Sequence, residues 1–435
     1  MVKQKIDSYE QAMDYVCTLP RFSSTNTMED TKDFLRRLGN PEKNMKIIHV
    51  AGTNGKGSVC AYLCSLLKTA GYSYSQFTSP HLADIRERFV INGRMIAESE
   101  FLQSFLYIYD MLPWNELENE KGYHPTFFEF LFFIAMILFQ KANTDYCVLE
   151  TGLGGRLDAT NSISCKEISV ITHMGLDHTE CLGDTIVKIA GEKAGIMHAG
   201  AKVVYWETDE DVTYILSEYA DRLIIPAFSV SKRDYTFINF SNKTIDFSYR
   251  SLYYDSVRLR LHTIARYQME NASLALRTLE VLLGKEKLTP EVMQTGIASA
   301  FWAGRMEEIL PNVYVDGAHN GDGIRAFLET VSQDGCLLPR KLLFGVVQNK
   351  AYEAMIQAIV LSGLFTDISV VQLKSARALN EESLEKAFRQ YWGKDMISYH
   401  SVKEAFDAET GTRLHNKRLY IAGSLYLVGE IKELL

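Results

Sequence analysis

Three strings carry most of the chemistry this chain can do. The first is IIHVAGTNGKGSVCAYLCSLLKTAG, residues 47–71. An apolar run meets a glycine-rich turn with one lysine, and a helical pattern follows. Such a turn aims backbone N–H groups into one concavity at the positive end of a helix, which favours bound phosphate. Gly52, Gly55 and Gly57 can take conformations closed to residues with a Cβ, and Lys56 can reach terminal phosphates. A phosphate loop more often ends Gly-Lys-Ser. Here Gly57 separates Lys56 from Ser58, which weakens the Ser58 hydroxyl as a metal ligand. The second string, DYCVLETGLGGRLDATN, puts Glu150 at the end of an apolar strand, where a carboxylate can hold Mg²⁺ beside phosphates. The third, ISVITHMGLDHTECLGDTIVKIAGEKAGI, repeats the device with Asp177 and His178 in the loop and Lys193 on the following helix. Imidazole and carboxylate groups at neighbouring strand ends suit a metal; Lys193 alone reads more readily as a snorkelling surface lysine.

Weaker signals accompany these. FTSPHLADIRERFVING offers Ser79, His81, Arg86, Glu87 and Arg88 to an anionic substrate or to solvent. Further on, FWAGRME carries Arg305, VYVDGAHNGDGI carries Asp316 and His319, and LYIAGSLYLVG carries Ser424. Polar clusters at strand ends in both halves suggest a cleft between two domains. A GTPase would show Asn-Lys-x-Asp, but after Asn349-Lys350 the chain has Tyr352 in place of the aspartate.

These residues need a scaffold of alternating elements. Strands are expected at 47–51, 74–78, 146–150, 168–173, 203–206 and 223–226, and helices at 58–70, 127–139 and 183–197. That alternation predicts a P-loop-type, mostly parallel α/β sheet covered on both faces. Residues 228–262 break the rhythm with Phe, Tyr, Ile and Val around Ser241-Asn242-Lys243, which predicts a small antiparallel β segment. A helix ends at Gly284. Alternation restarts after a boundary near 300. Strands at 313–316, 341–346, 368–372 and 418–422, with helices at 323–331, 352–361 and 381–392, predict a smaller Rossmann-like α/β domain. The expected division is 1–300 and 301–435; the stretch 102–123 has no clear pattern.

Composition excludes other classes. The 435 residues exceed one ordinary domain, and hydrophobic (47%) and charged (23%) fractions are those of globular protein. A net charge of −8 without a Lys/Arg cluster argues against nucleic acid. Seven Cys without a C-x-x-C pair argue for reduced thiols and a cytoplasmic location. The apolar run in TFFEFLFFIAMILFQ is too short for a bilayer and holds Glu129, so it predicts a buried helix rather than a membrane span.

Taken in order, LGNPEKNMKIIHVAGTNGKGSV, FTSPHLADIRERFVING, VLETGLGGRLDATN, ITHMGLDHTECLGDTIVKIAGEKAGI, FWAGRMEEI, VDGAHN and AGSLYLVGEI resemble the folylpolyglutamate synthase / dihydrofolate synthase family, within the Mur-type ATP-dependent amide ligases. The resemblance implies a cytoplasmic, monomeric ligase. ATP would phosphorylate a folate or dihydropteroate carboxylate, and L-glutamate would displace the phosphate. It further implies that Gly52, Thr53, Asn54, Gly55, Lys56, Gly57, Ser58, Asn271, Arg305, Asp316 and His319 bind ATP. Ser79 and Glu150, with Ser58 assisting, would hold Mg²⁺. His178 and a carbamylated Lys193 would serve a second metal site, and Lys56, His178 and Lys193 would be catalytic. Asp158 would lie on the pteridine side and Ser424 near the incoming glutamate. Three positions depart from the family pattern: Met174, Ala351, and Arg86 where asparagine is usual. A P-loop ATPase without ligation, or a cell-wall ligase acting on a UDP-sugar peptide, is the alternative.

Overall fold

The computed structural model describes residues 3–117, 122–348, 352–375, 377–411, 414 and 416–435; Asn349, Lys350 and Ala351 lie outside them. Its largest element is an eight-stranded sheet. Its strands are β1 (Ile47–Ala51), β2 (Tyr74–Phe77), β3 (Phe89–Ile91), β4 (Arg94–Met95), β5 (Tyr146–Glu150), β6 (Ile168–Ile171), β7 (Lys202–Trp206) and β8 (Ala227–Val230). Their spatial order is β4-β3-β2-β5-β1-β6-β7-β8, parallel except at the β2–β3–β4 edge. β1, β2, β5 and β6 are buried along their whole length, as strands covered on both faces must be. They are adjacent, so the loops leaving their carboxyl ends meet at one edge.

A three-stranded antiparallel sheet follows: β9 (Tyr235–Ser241), β10 (Thr244–Tyr249) and β11 (Val257–Leu261). The antiparallel segment thus starts at Tyr235 and not at 228, because Phe228 belongs to β8 of the large sheet. The last sheet runs β12-β13-β17-β14-β15-β16, from β12 (Glu307–Leu310), β13 (Val313–Val315), β14 (Arg340–Phe344), β15 (Asp367–Val371), β16 (Ile397–Tyr399) and β17 (Arg418–Ala422). It is parallel apart from β12.

The expected strand at 223–226 is absent. The helix Glu210–Leu223 runs through Leu223 and ends on Ile224, which takes a left-handed conformation and is 91% exposed. The single helix expected at 183–197 is two: Thr179–Leu182 and Ile186–Ala194, separated at Gly183 (φ 102°). Within 102–123 the helix Glu98–Asp110 buries Phe101, Phe105 and Ile108. The Phe127–Ala142 helix is buried from Phe130 to Phe139 and packs against the large sheet's core. Glu129 sits in its first turn, closes a capping box with Thr126, and accepts hydrogen bonds from Asn26 (2.9 Å) and Thr31 (3.2 Å). Among the described residues, no helix is long and apolar enough to cross a membrane.

Candidate active site

β1 ends in a loop whose shape depends on its glycines. Gly55 has φ 88°, and a Cβ on it would stand 2.3 Å from Asn271 Oδ1. A Cβ on Gly57 would stand 2.8 Å from the Trp302 indole. The unusual Gly57 thus makes room for an aromatic ring that joins the loop to the chain just before Arg305. The N–H groups of Thr53 and Asn54 donate to His173 O (3.0 and 3.2 Å), and Thr172 Oγ1 donates to Asn54 O (2.7 Å). The loop is therefore braced on the chain leaving β6. The N–H groups of Gly55, Lys56, Gly57 and Ser58 have no acceptor among the described residues. Four open donors at the start of the Lys56–Thr69 helix form an anion cradle.

Two lysines converge on this loop. Lys56 Nζ donates to Gly52 O (3.0 Å) and Thr53 O (3.1 Å), and Lys193 Nζ donates to Gly52 O (2.8 Å). Lys193 is 4% exposed, and burial, reinforced by Lys56, pushes its amine down to about 7. Ser58 is also buried, and its Oγ accepts from Gln268 Nε2 (3.2 Å), which leaves one lone pair of the hydroxyl engaged.

Glu150 ends β5 directly beside Val50 of β1. Its Oε2 accepts from Ser79 N (3.0 Å), and the other oxygen takes no hydrogen bond among the described residues. Burial pushes this carboxyl up, while Lys56, the Ser79 N–H, Arg305 and Arg88 favour the charged form. A buried carboxylate with one open oxygen, beside a hydroxyl and a phosphate cradle, fits a hard cation. Among the described residues, no group of three His, Cys, Asp or Glu is placed to hold a metal ion. Behind Ser79, Arg88 Nε donates to His81 Nδ1 (2.9 Å), and burial beside Arg88 drives His81 to about 3. Arg86 is bound to Asp84 (2.6 Å), approaches Glu98 (3.5 Å) and lies over the Tyr9 ring (5.4 Å). Its departure from the family pattern fastens the loop to the N-terminal helix.

The last sheet reaches the same loop. Asn54 and Asn320 exchange side-chain amide hydrogen bonds (3.3 and 3.1 Å), and Asn320 Nδ2 also donates to Asp177 Oδ2 (2.8 Å). Burial works against ionised Asp177, but His319, His178, Asn320 and Lys56 outweigh it and hold the carboxyl low. His178 Nε2 and His319 Nε2 each stand 3.9 Å from an Asp177 oxygen. His178 is half-exposed, with φ 50°. His319 Nδ1 donates to Gly317 O (2.7 Å), which leaves Nε2 facing Asp177. Ser424 caps the Leu425–Lys432 helix, and the neighbouring Gly423 N donates to Ala318 O (3.1 Å).

Two expected ligands are engaged internally. Asp316 accepts from Tyr267 OH (2.9 Å), Met306 N (2.9 Å) and Ala318 N (2.8 Å). Asp158 accepts from Gly152 N, Leu153 N, Thr160 N and Thr160 Oγ1, at 2.9, 2.8, 3.0 and 2.5 Å. Both carboxylates hold backbone in place. Beside the cradle lies a cavity of about 340 Å³ lined by Ser58, Gln268, Trp302, Arg305, Thr244 and Ile264. Gln268, Trp302 and Asn320 were not singled out from sequence. Trp302 and Asn320 sit in strings already marked, FWAGRME and VYVDGAHNGDGI, and that adjacency was the available signal.

No family model matches the chain. It is 31% identical to the dihydrofolate synthase/folylpolyglutamate synthase of Bacillus subtilis (strain 168), over 98% of this chain and 99% of that one. The folylpolyglutamate synthase of Mycobacterium tuberculosis, solved with ADP and AMPPCP, superposes with a TM-score of 0.88 at 25% identity, covering 98% of each chain. A solved FPGS–AMPPCP–folate complex superposes with a TM-score of 0.84 at 27% identity, covering 98% of this chain and 99% of that one.

Proposed function

This chain belongs to the dihydrofolate synthase/folylpolyglutamate synthase family, and from that premise we propose which of its residues carry the reaction. It is an ATP-dependent ligase that adds glutamate to folate. The observation that carries the residue assignment is the row of open N–H groups from Gly55 to Ser58 beside Lys56 and the buried Glu150.

In our reading the γ-phosphoryl group lies over Gly55–Ser58, and Lys56 leaves its loop carbonyls to neutralise charge on the transferring group. The acceptor's carboxylate attacks phosphorus in line, ADP leaves, and an acyl phosphate forms. The glutamate amine then attacks the acyl carbon and phosphate departs, leaving the amide. Mg²⁺, when bound, would neutralise the nucleotide phosphates; Glu150 and Ser79, with Ser58 assisting, would hold it. Asn271, Arg305 and His319 sit around the cavity and cradle where the rest of the nucleotide would lie, and Asp316 fixes the backbone there. Lys193, neutral above about pH 7, would add CO₂ to become a carbamate and, with His178, serve a second cation. Asp158 shapes the acceptor side through its loop, and Ser424 faces the incoming glutamate. The division into 1–300 and 301–435, the monomeric state and a cytoplasmic location belong to the same reading.

The test is a panel of dihydropteroate, tetrahydrofolate and a one-carbon folate with ATP and labelled glutamate. The expected result is ADP release that needs both acceptor and glutamate, with label in the acceptor. ADP release indifferent to both would overturn the assignment. Labelling by ¹³C-bicarbonate, read by NMR, tests the Lys193 carbamate without reference to turnover.

A further inference from the structure

His49 lies in the middle of β1 with 0% exposure. Its cross-strand neighbours are Leu149 of β5 and Ser169 of β6, and Ile47 on the same face belongs to the apolar core. An imidazole there is a poor choice for packing, since a buried polar group without a partner destabilises the fold. Only one of its nitrogens is satisfied. Nε2 stands 2.8 Å from Thr160 Oγ1, and Nδ1 has no partner among the described residues. The Thr160 hydroxyl has a single proton, and it donates to Asp158 Oδ1 at 2.5 Å. Nε2 then carries the hydrogen of the other bond. Burial, with Lys166 and His198 nearby, disfavours a second proton on the ring, which leaves a neutral imidazole with a bare Nδ1.

The chain of bonds continues. Asp158 Oδ2 holds the N–H groups of Gly152 and Leu153, just past Glu150. The far side of that loop rests on the helix of Lys193. Arg156 N donates to Glu192 O (2.8 Å), Asn161 Nδ2 donates to Gly195 O (3.0 Å), and a Cβ on Gly155 would stand 3.0 Å from Lys193 Cα. β1 itself runs on from His49 to Ala51, and the next residue is Gly52, whose carbonyl Lys193 binds.

We propose that His49 is a positioning residue: through Thr160 and Asp158 it locks the 152–161 loop, and with it the acceptor side of the site, to the strand that carries the phosphate cradle. The proposal rests on the reading that this loop faces the acceptor. A leucine would fill the same apolar face without an orphaned nitrogen; the imidazole supplies one directed bond instead.

Thr160→Val removes the hydroxyl at nearly constant shape, and His49→Leu removes the donor. His49→Gln restores an N–H close to the Nε2 position. Expected is a rise of about tenfold in the acceptor KM for His49→Leu, the effect of one buried hydrogen bond, and at least as much for Thr160→Val, which removes two. The ATP KM stays within about twofold, since the cradle is untouched. The double variant is no worse than the more severe single, and His49→Gln recovers most of the loss. ¹⁵N NMR of the wild-type protein shows a neutral imidazole protonated at Nε2, and Thr160→Val shifts that resonance. An unchanged acceptor KM, an equal rise in both KM values, additive single effects, or a proton on Nδ1 would each overturn the proposal. Should His49→Leu not fold, Thr160→Val decides alone. If the wild-type protein adds no glutamate to any folate-type acid, the functional reading fails. The tautomer, and amide exchange that accelerates across 152–161 in Thr160→Val, then still test the lock by themselves.

Discussion

Two glycine-rich loops leave neighbouring strands of one sheet, and they use their amide hydrogens in opposite ways. The loop after β5 is held from within: Asp158 collects the N–H groups of Gly152, Leu153 and Thr160. The loop after β1 braces only its first half, on His173 O, and leaves Gly55–Ser58 open. The first arrangement fixes a shape and offers little charge. The second leaves four donors suited to an anion, beside Lys56 and Lys193 on the Gly52 carbonyl. Glycine content alone therefore does not separate the two loops; the internal carboxylate of the loop after β5 does.

The comparison can be broken most severely at Lys56. Lys56→Ala should lower kcat/KM by about a thousandfold, the scale of losing one charged stabiliser of the transition state. Turnover near the wild-type level would remove the β1 loop from the chemistry. Lys193→Met should come next, at about a hundredfold, and it carries a pH signature. With the amine's pKa near 7, the lysine is neutral and open to CO₂ above that pH, and protonated and closed to it below. Activity should therefore depend on added bicarbonate above about pH 7 and become indifferent to it in more acidic buffer. A bicarbonate response that is flat across this range excludes the carbamate.

Gly57→Ala sharpens the contrast, since it burdens the open loop only. The new methyl meets the Trp302 ring at 2.8 Å, so ATP KM should rise about tenfold while acceptor KM holds. Trp302→Leu in the same chain should relieve part of the effect, and strict additivity would show that the clash is not the cause. The smallest effect on turnover belongs to the closed loop. Asp158→Asn leaves at least one N–H or hydroxyl donor unpaired, so denaturant unfolding should show a loss of about 2 kcal/mol. Unchanged stability would mean that the loop does not depend on its carboxylate.

Local features of the sequence were legible where the physics is local. The cradle's glycines, its lysine and the periodicity of the following helix lie within a few residues, as do the strand end at Glu150 and the buried stripe around Phe130. The strand expected at 223–226 failed because Ile224 and Ile225 read as an apolar run, whereas Ile224 is the exposed left-handed end of a helix. The helix Glu98–Asp110 has Phe101, Phe105, Ile108 and Tyr109 at helical spacing, but Leu102, Leu106 and Tyr107 between them blur the stripe. The Asn54–Asn320 exchange joins residues 266 positions apart and has no local signature. For Asp158 the family resemblance, and for Asp316 its strand end and that resemblance, implied binding roles; the bonds their oxygens accept come from tertiary structure.

Trp302 has one more consequence. It stands against Gly57 on the wall of the cavity, while Trp114, Trp206 and Trp392 are buried, Trp114 and Trp206 in the cores of the large sheet and Trp392 in that of the last one. The molecule therefore contains its own optical probe. On the proposed assignment, nucleotide entering the cradle should change the surroundings of a single indole, and the emission change can be titrated without a label.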